Sequence, residues 1–379
     1  MSLRIRAVTF AIPYTPEELL KDAIQEILIR KLRSLKEQLA PLSPPVWTYR
    51  LILKPSELEC SLSHNVSHII KVLDSLRERA GFDYIALPLL LPEDLCEGTT
   101  EICRKVVLAA RGRNRVFVSL NISSLEADLV PKLATLYSAL LMDLFKLRDY
   151  STQVRISLVL KGPIMTPYFP SGASLTNELC MMAALLYPKF LSEHLRKGIG
   201  LEDAIRRAYS LVADSLERVA LETGVPFVGV DLSISPWIKD SVVDLLELID
   251  ENHRFIGPTF NSLVRTNLAI KKVASEVRSV GFNEVMLPLA EDERLKELVL
   301  KGLVRMRDFI AFAIVCVAGV DMIPIPGHDQ DFIRSILSEA LSVALIKERP
   351  MGIRLIAVDG SPGDNIKLWN SLSAPIPKV

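Results

Sequence analysis

Short runs of β-branched and aromatic residues alternate along the chain with longer stretches in which apolar positions recur every three or four residues. This is the pattern of parallel strands joined by crossover helices. Arg6 to Ile12 reads as a strand, and Pro16 to Ala40 as a helix whose Leu19, Leu20, Ala23, Ile24, Ile27 and Leu28 share a face, with Thr15 as its cap. Trp47 to Leu53 is a second strand bounded by prolines. A helix from Ser63 to Ala80 then ends at Gly81, which can take the left-handed stop conformation. Strands at Tyr84 to Leu91, Arg115 to Ile122 and Val154 to Leu160, separated by helices at Pro92 to Ala110 and Leu125 to Leu147, bring the count to five strands and four helices. The stretch Gly162 to Gly172 (GPIMTPYFPSG) holds too many breakers for a helix or a central strand and reads as a junction.

Beyond that junction the pattern repeats. His68 to Asp94 ends in GFDYIALPLLLPED and Leu268 to Asp292 ends in GFNEVMLPLAED, each a helix, Gly-Phe, a strand ending Leu-Pro-Leu and an acidic helix start. Leu133 to Leu160 and Ile336 to Val358 match as an Ala/Leu/Ser helix followed by a short apolar strand, and Glu202 to Ser233 mirrors Glu17 to Leu53. The repeat makes Leu179 to Leu186 a strand despite its helix-favouring LCMMAALL composition, because it stands where the first strand stood. With Phe227 to Leu232, Glu284 to Leu289, Ile310 to Val317 and Ile353 to Val358 it gives a second set of five. The expected organisation is a five-stranded α/β half over residues 1–161, a Pro/Gly linker over 162–173, and a second such half over 174–379, sharing one core.

Composition narrows the classes. Hydrophobic residues make up 49% of the chain, which requires either membrane spans or strands buried on both faces. The uncharged stretch Phe309 to Val320 is shorter than the ~20 residues of a spanning helix, and the N-terminus lacks the apolar core of a signal peptide. A cytoplasmic location is therefore expected. Forty-five basic residues balance forty-five acidic ones, so no global field exists to hold nucleic acid or an anionic membrane. Cys60, Cys96, Cys103, Cys180 and Cys316 form no C-x-x-C pair, arguing against a disulfide framework or a cysteine zinc site.

The segments AIVCVAGVDMIPIPG (Ala313 to Gly327), GVDLSISP (Gly229 to Pro236), GIRLIAV near the end and the final SAPIPKV resemble uncharacterised protein family 0210, also known as domain of unknown function 711. The resemblance covers nearly the whole chain in order. It implies a fold similar to the pyruvate formate-lyase-like barrel, in which two five-stranded α/β units form a closed ten-stranded barrel, and it implies no reaction. The chain departs from the family where Gly-rich loops are usual: at Asn121 to Glu126, at Leu89 to Leu91, at Ser174 to Glu178 and at Pro258 to Ser262. The glycines that would let backbone approach a ligand are replaced there.

In parallel α/β sheets ligands gather at the carboxyl ends of strands. Asp231 and Ser233 end the seventh expected strand, Asp321 follows the ninth, and Asn121 with Ser123 closes the fourth. Carboxylates converging from several strand ends could hold a cation or act as acid and base; capping of nearby turns is the plainer role. His328, in Pro-Gly-His-Asp before a helix, could act as a base or could simply start that helix. Cys60, His64 and His68 stand four apart and could line one helical face as a metal site, although no H-E-x-x-H pattern accompanies them.

No cofactor is expected: the C-terminal glycines lie in Asp359-Gly360-Ser361-Pro362-Gly363, a turn rather than a glycyl-radical segment, and no Lys-Ser/Thr follows to make a phosphate loop. Two functions remain open. One is a small-molecule enzyme or receptor with an interior site. The other, favoured by the lost glycines, is a scaffold or oligomer subunit, a homodimer by preference, whose interior is filled by leucines such as Leu89 and Leu289.

Overall fold

A computed structural model describes residues 2–58, 60–250, 256–317 and 320–379, the side chains of 60–64 excepted. The first half runs β1 (Arg4–Ala11), α1 (Asp22–Leu39), β2 (Val46–Ile52), β3 (Ser56–Glu57), α2 (Cys60–Ala80), β4 (Tyr84–Leu90), α3 (Glu97–Ala109), β5 (Val116–Ile122), α4 (Leu129–Lys146), α5 (Tyr150–Val154) and β6 (Ile156–Leu160). The second runs β7 (Cys180–Leu186), α6 (Pro188–Leu195), α7 (Leu201–Thr223), β8 (Phe227–Asp231), α8 (Val242–Ile249), α9 (Phe260–Glu276), α10 (Glu293–Leu300), α11 (Met306–Phe312), β9 (Val320–Pro326), α12 (Gln330–Ile346) and β10 (Met351–Val358). A hairpin, β11 (Asn365–Trp369) and β12 (Leu372–Pro375), closes the chain.

The protein is α/β, with a mostly parallel ten-stranded sheet in the order β8-β7-β1-β2-β4-β5-β6-β10-β9 and β3 beside β4. Within each half the paired strands are parallel, but the halves meet antiparallel at β1 against β7 and at β6 against β10. The carboxyl ends of first-half strands therefore lie at one end of the sheet and those of second-half strands at the other.

The two faces of the sheet differ in side-chain size. Val8 and Phe10 of β1 pack with Leu28, Ile29 and Leu32 of α1 in the large helix-facing core, where each fully buried side chain of this kind contributes about 1.5–3 kcal/mol. The other face carries Ala7, Ala11, Ala86 and Ala184, small residues that leave room inside. Into that room runs the Pro/Gly linker. Gly162 N–H donates to the Ile122 carbonyl and Ser174 N–H to that of Leu53, so the segment enters and leaves at the carboxyl ends of β5 and β2. It doubles back through a bridge between Ile164 and Gly172. A side chain at Gly172 would stand 2.6 Å from the Thr166 carbonyl, so the fold-back needs glycine there. The expected junction is also a buried finger that plugs one end of the interior.

Several expected elements are corrected. Ile310 to Val317 is not a strand: Met306–Phe312 is α11, and the strand begins at Val320. Asp321 is accordingly the second residue of β9 rather than a residue following a strand. Glu284 to Leu289 forms no regular strand; residues 279–292 touch β8 and its continuation through isolated bridges and end in a 3-10 turn, Leu289–Glu291. The helix expected from Pro16 starts at Asp22, after a 3-10 turn at Glu18–Leu20 that Thr15 and Glu18 cap reciprocally. Gly81 takes its expected positive φ, and Cys180–Leu186 is a strand. Among the described residues no helix is long and apolar enough to cross a membrane.

Candidate ligand-binding cavity

The space that the finger leaves unfilled is a cavity of about 120 Å³. Its lining comes from β1, β2, β4, β5, β6, β9 and β10, so the sheet curls around it, and the finger tip Tyr168–Ser171 closes it on one side. Trp47 and Tyr84 stand at the amino ends of β2 and β4, while Ser235 and Trp237 lie beyond the carboxyl end of β8. The cavity thus sits toward the end of the sheet where first-half strands begin and β8 finishes. All three tryptophans of the chain, Trp47, Trp237 and Trp369, line it.

Two bulges aim charge into this space. The register of β1 against β7 slips at Arg6, so that Arg6 lines the cavity although its neighbour Ala7 also faces inward. The register of β9 against β10 slips at Met322, whose φ is +53°, and both Asp321 and Met322 border the cavity. A non-glycine residue at positive φ stores strain that surrounding packing must offset.

Three guanidiniums face two carboxylates here. Arg6 donates from Nη2 to Glu291 Oε2 at 2.5 Å and from Nη1 to the Pro236 carbonyl at 2.7 Å, with its plane over Trp47 and Trp237. Arg354 forks onto Asp321 at 2.5 and 2.9 Å, and its Nη1 donates to the Val154 carbonyl. Burial raises the Asp321 pKa and Arg354 works against that rise. Arg50 is the unmatched member. Its Nε donates to Thr48 Oγ1 and its Nη1 to the Pro167 carbonyl of the finger, both at 3.0 Å; among the described residues Nη2 adds no hydrogen bond and no carboxylate lies in ion-pair reach, the Glu291 charge acting from farther away. Burial, with Arg6 adding its repulsion, pushes the Arg50 guanidinium down to about 10, which leaves it charged at neutral pH. Three polar atoms of lining residues are buried without a partner: Arg6 Nε, Ser157 Oγ and Trp369 Nε1. Both nitrogens carry a hydrogen to donate, so the unmet demand is for an acceptor.

The residues expected to carry chemistry lie mostly elsewhere. Asp231 is fully buried beside the finger and accepts five hydrogen bonds: from Ser233 N–H and Oγ, Thr166 Oγ1, and the N–H groups of Phe282 and Asn283. Burial raises its pKa and these donors oppose the rise. A side chain at Gly281, where φ is +84°, would sit 2.0 Å from Asp231 Oδ2. Ser233 is occupied by Asp231 and by Glu284 N–H. These two residues anchor the finger rather than line the cavity. Asn121 donates to the Leu89 carbonyl and to Ser119 near the opposite end of the sheet, its Oδ1 unpartnered, and Ser123 is exposed.

His328 is exposed, 3.0 Å from Asp359 at the start of α12. His68 is exposed on α2, and the Cys60 and His64 side chains lie outside the described residues. Of the expected residues that the structure describes, Asp321 alone borders the cavity. Arg6, Arg50 and Arg354 lie outside the sequence expectations, although an arginine inside each of the apolar strands RIRAVTFA, VWTYRLI and MGIRLIAV is the signal that marks them.

Compared with known proteins, residues 1–369 match the family model described as Uncharacterised ACR (DUF711). The chain belongs to that family. Among curated DUF711 relatives, a UPF0210 protein of Pyrobaculum aerophilum is 26% identical over 96% of this chain and 87% of its own length. One of Methanococcoides burtonii is 24% identical over 88% of this chain and 79% of its own. One of Clostridium botulinum reaches 31% identity over 46% of this chain and 40% of its own. None of these names assigns a reaction to DUF711.

Proposed function

We propose that this protein binds a small monoanion inside the curled sheet and that Arg50 is the group that holds it. The observation that carries the reading is Arg50 itself, a buried, charged guanidinium lining the cavity, whose two hydrogen bonds go to neutral groups and which has no carboxylate in ion-pair reach among the described residues. A buried charge left uncompensated is costly, so a site of this kind is complete when an anion supplies the missing charge. Leu89 and Leu289 pack in the helix-facing core and do not fill the cavity, which is the arrangement a receptor or enzyme needs and a leucine-filled scaffold lacks. We also infer that the sheet closes into a ten-stranded barrel of two duplicated units, similar to the pyruvate formate-lyase-like barrel. In support, residues 279–292 bridge to β8 and its continuation at Val230, Ile234 and Ile238, and the turn they end in packs on β9, so they stand where a tenth barrel strand would.

Tryptophan fluorescence tests the site, because all three reporters line it. Titration with phosphate, sulfate, acetate and benzoate should give a saturable change for at least one monoanion in the wild-type protein. A charge-assisted hydrogen bond of about 1.5–3 kcal/mol predicts that Arg50→Gln weakens that binding by roughly ten- to a hundredfold. Equal binding by a folded Arg50→Gln protein, or no response to any of the four anions, would overturn the proposal.

A further inference from the structure

We infer that the anion's body is one planar aromatic ring, making the ligand a single-ring aromatic carboxylate; this rests on the interior site proposed above. Beside Arg50 stand four rings that touch edge to face. Phe117 is central, with Tyr84 at 5.4 Å, Phe169 at 5.4 Å and Trp369 at 5.7 Å between ring centres. Tyr84 and Trp369 meet at 6.1 Å. The Arg50 guanidinium lies 5.3 Å from the Phe169 ring and 5.9 Å from that of Tyr84, so the charge sits at the edge of this aromatic cluster. A flat ring bearing a carboxylate matches both features: its faces and edges meet aromatic walls while its charged end meets the guanidinium.

Size sets the number of rings. The cavity of about 120 Å³ is close to the roughly 150 Å³ of an apolar cavity that takes benzene. One ring fits that volume, and a nucleotide exceeds it. An aromatic cluster can also hold a cation, but the three guanidiniums against two carboxylates, with unused donors on Trp369 and Arg6, repel one.

Isothermal titration of the full chain with benzoate, cyclohexanecarboxylate, acetate, benzamide and benzylamine separates the possibilities. Benzoate should bind about tenfold more tightly than acetate, benzamide or benzylamine, and at least about threefold more tightly than the non-planar cyclohexanecarboxylate. Phe117→Leu, which removes the central ring, should abolish the preference for benzoate over cyclohexanecarboxylate. If Phe117→Leu does not fold, Trp369→Leu, on the hairpin outside the main sheet, should narrow the same preference. Should cyclohexanecarboxylate or acetate equal benzoate, the aromatic assignment falls while the anion site stands. Should benzamide or benzylamine equal benzoate, or nothing bind, the anion site falls as well.

Discussion

Changing Asp231 to asparagine decides whether that residue anchors the finger or performs chemistry. Its Oδ1 accepts from Ser233 N–H at 3.0 Å, Ser233 Oγ at 2.6 Å and Asn283 N–H at 3.1 Å, and its Oδ2 accepts from Thr166 Oγ1 at 2.8 Å and Phe282 N–H at 2.9 Å. Three of these donors are backbone N–H groups, which cannot turn into acceptors. An amide nitrogen in place of Oδ1 would confront two of them; in place of Oδ2 it confronts only Phe282 N–H, because the Thr166 hydroxyl can rotate and accept. The cheaper arrangement thus strands one buried donor, at about 1–3 kcal/mol, and turns the remaining bonds neutral. Relief of the carboxylate's burial offsets part of this, so the expected net loss is about 2 kcal/mol.

Urea unfolding followed by tryptophan fluorescence measures that loss, since the rings line the cavity that the finger closes. Thr166→Val removes the single bond from finger to carboxylate, and in the double variant the two losses should fall short of additive by about 1 kcal/mol. An Asp231→Asn protein as stable as wild type, or more so, would refute the anchoring role and mark a carboxylate held under strain for function.

Two other sites give independent tests. Arg155 is buried and spans the carbonyls of Ala110, Arg113, Val116 and Ser151 and the Thr152 hydroxyl with one guanidinium; Arg155→Lys cannot reach them all and should lower stability by about 3 kcal/mol in urea, an unchanged midpoint contradicting this. Burial raises Asp240 from 3.8 to about 6, against the pull of the Lys189 N–H. The folded chain therefore binds more protons than the unfolded one between pH 3.8 and about 6, and this group's contribution to stability declines as pH rises through that window and is level above it. Asp240→Asn should gain on wild type across the window and then hold a constant difference; parallel stability profiles at pH 4.5, 5.5 and 7, all approximate set points, would contradict the shift.

Much of the fold was legible in the alternation of strand-like and helix-like runs. Cys180–Leu186 has helix-favouring residues, yet its match in order to the first strand made a strand the expectation, and it is one. Where periodicity stood alone it failed: the apolar run from Ile310 has no clear period, and a short run of that kind is ambiguous between strand and helix. Its first residues belong to α11, at whose start the Arg305 N–H donates to the Asp308 carboxylate. The hairpin of β11 and β12 is hard to see in the sequence because Asn370, at a φ of +49°, is the turn signal in an otherwise weak pattern.

The site was harder to locate, for a geometric reason. The rule that ligands lie at the carboxyl ends of strands assumes that all strands point one way. Here two parallel sets run in opposite senses, so each end of the interior mixes carboxyl ends from one half with amino ends from the other. Applied half by half, the rule sent Asn121 to one end and Asp231 with Ser233 to the other, and it could not make them converge. A criterion that does not depend on direction fares better: a charged residue inside a strand that is otherwise apolar must face something polar or remain uncompensated. Arg6, Arg50 and Arg354 all satisfy it, and two of them find carboxylates. The third, Arg50, has a threonine, a carbonyl and two aromatic rings as its contacts among the described residues, and the proposed anion site rests on that difference from the two ion-paired arginines.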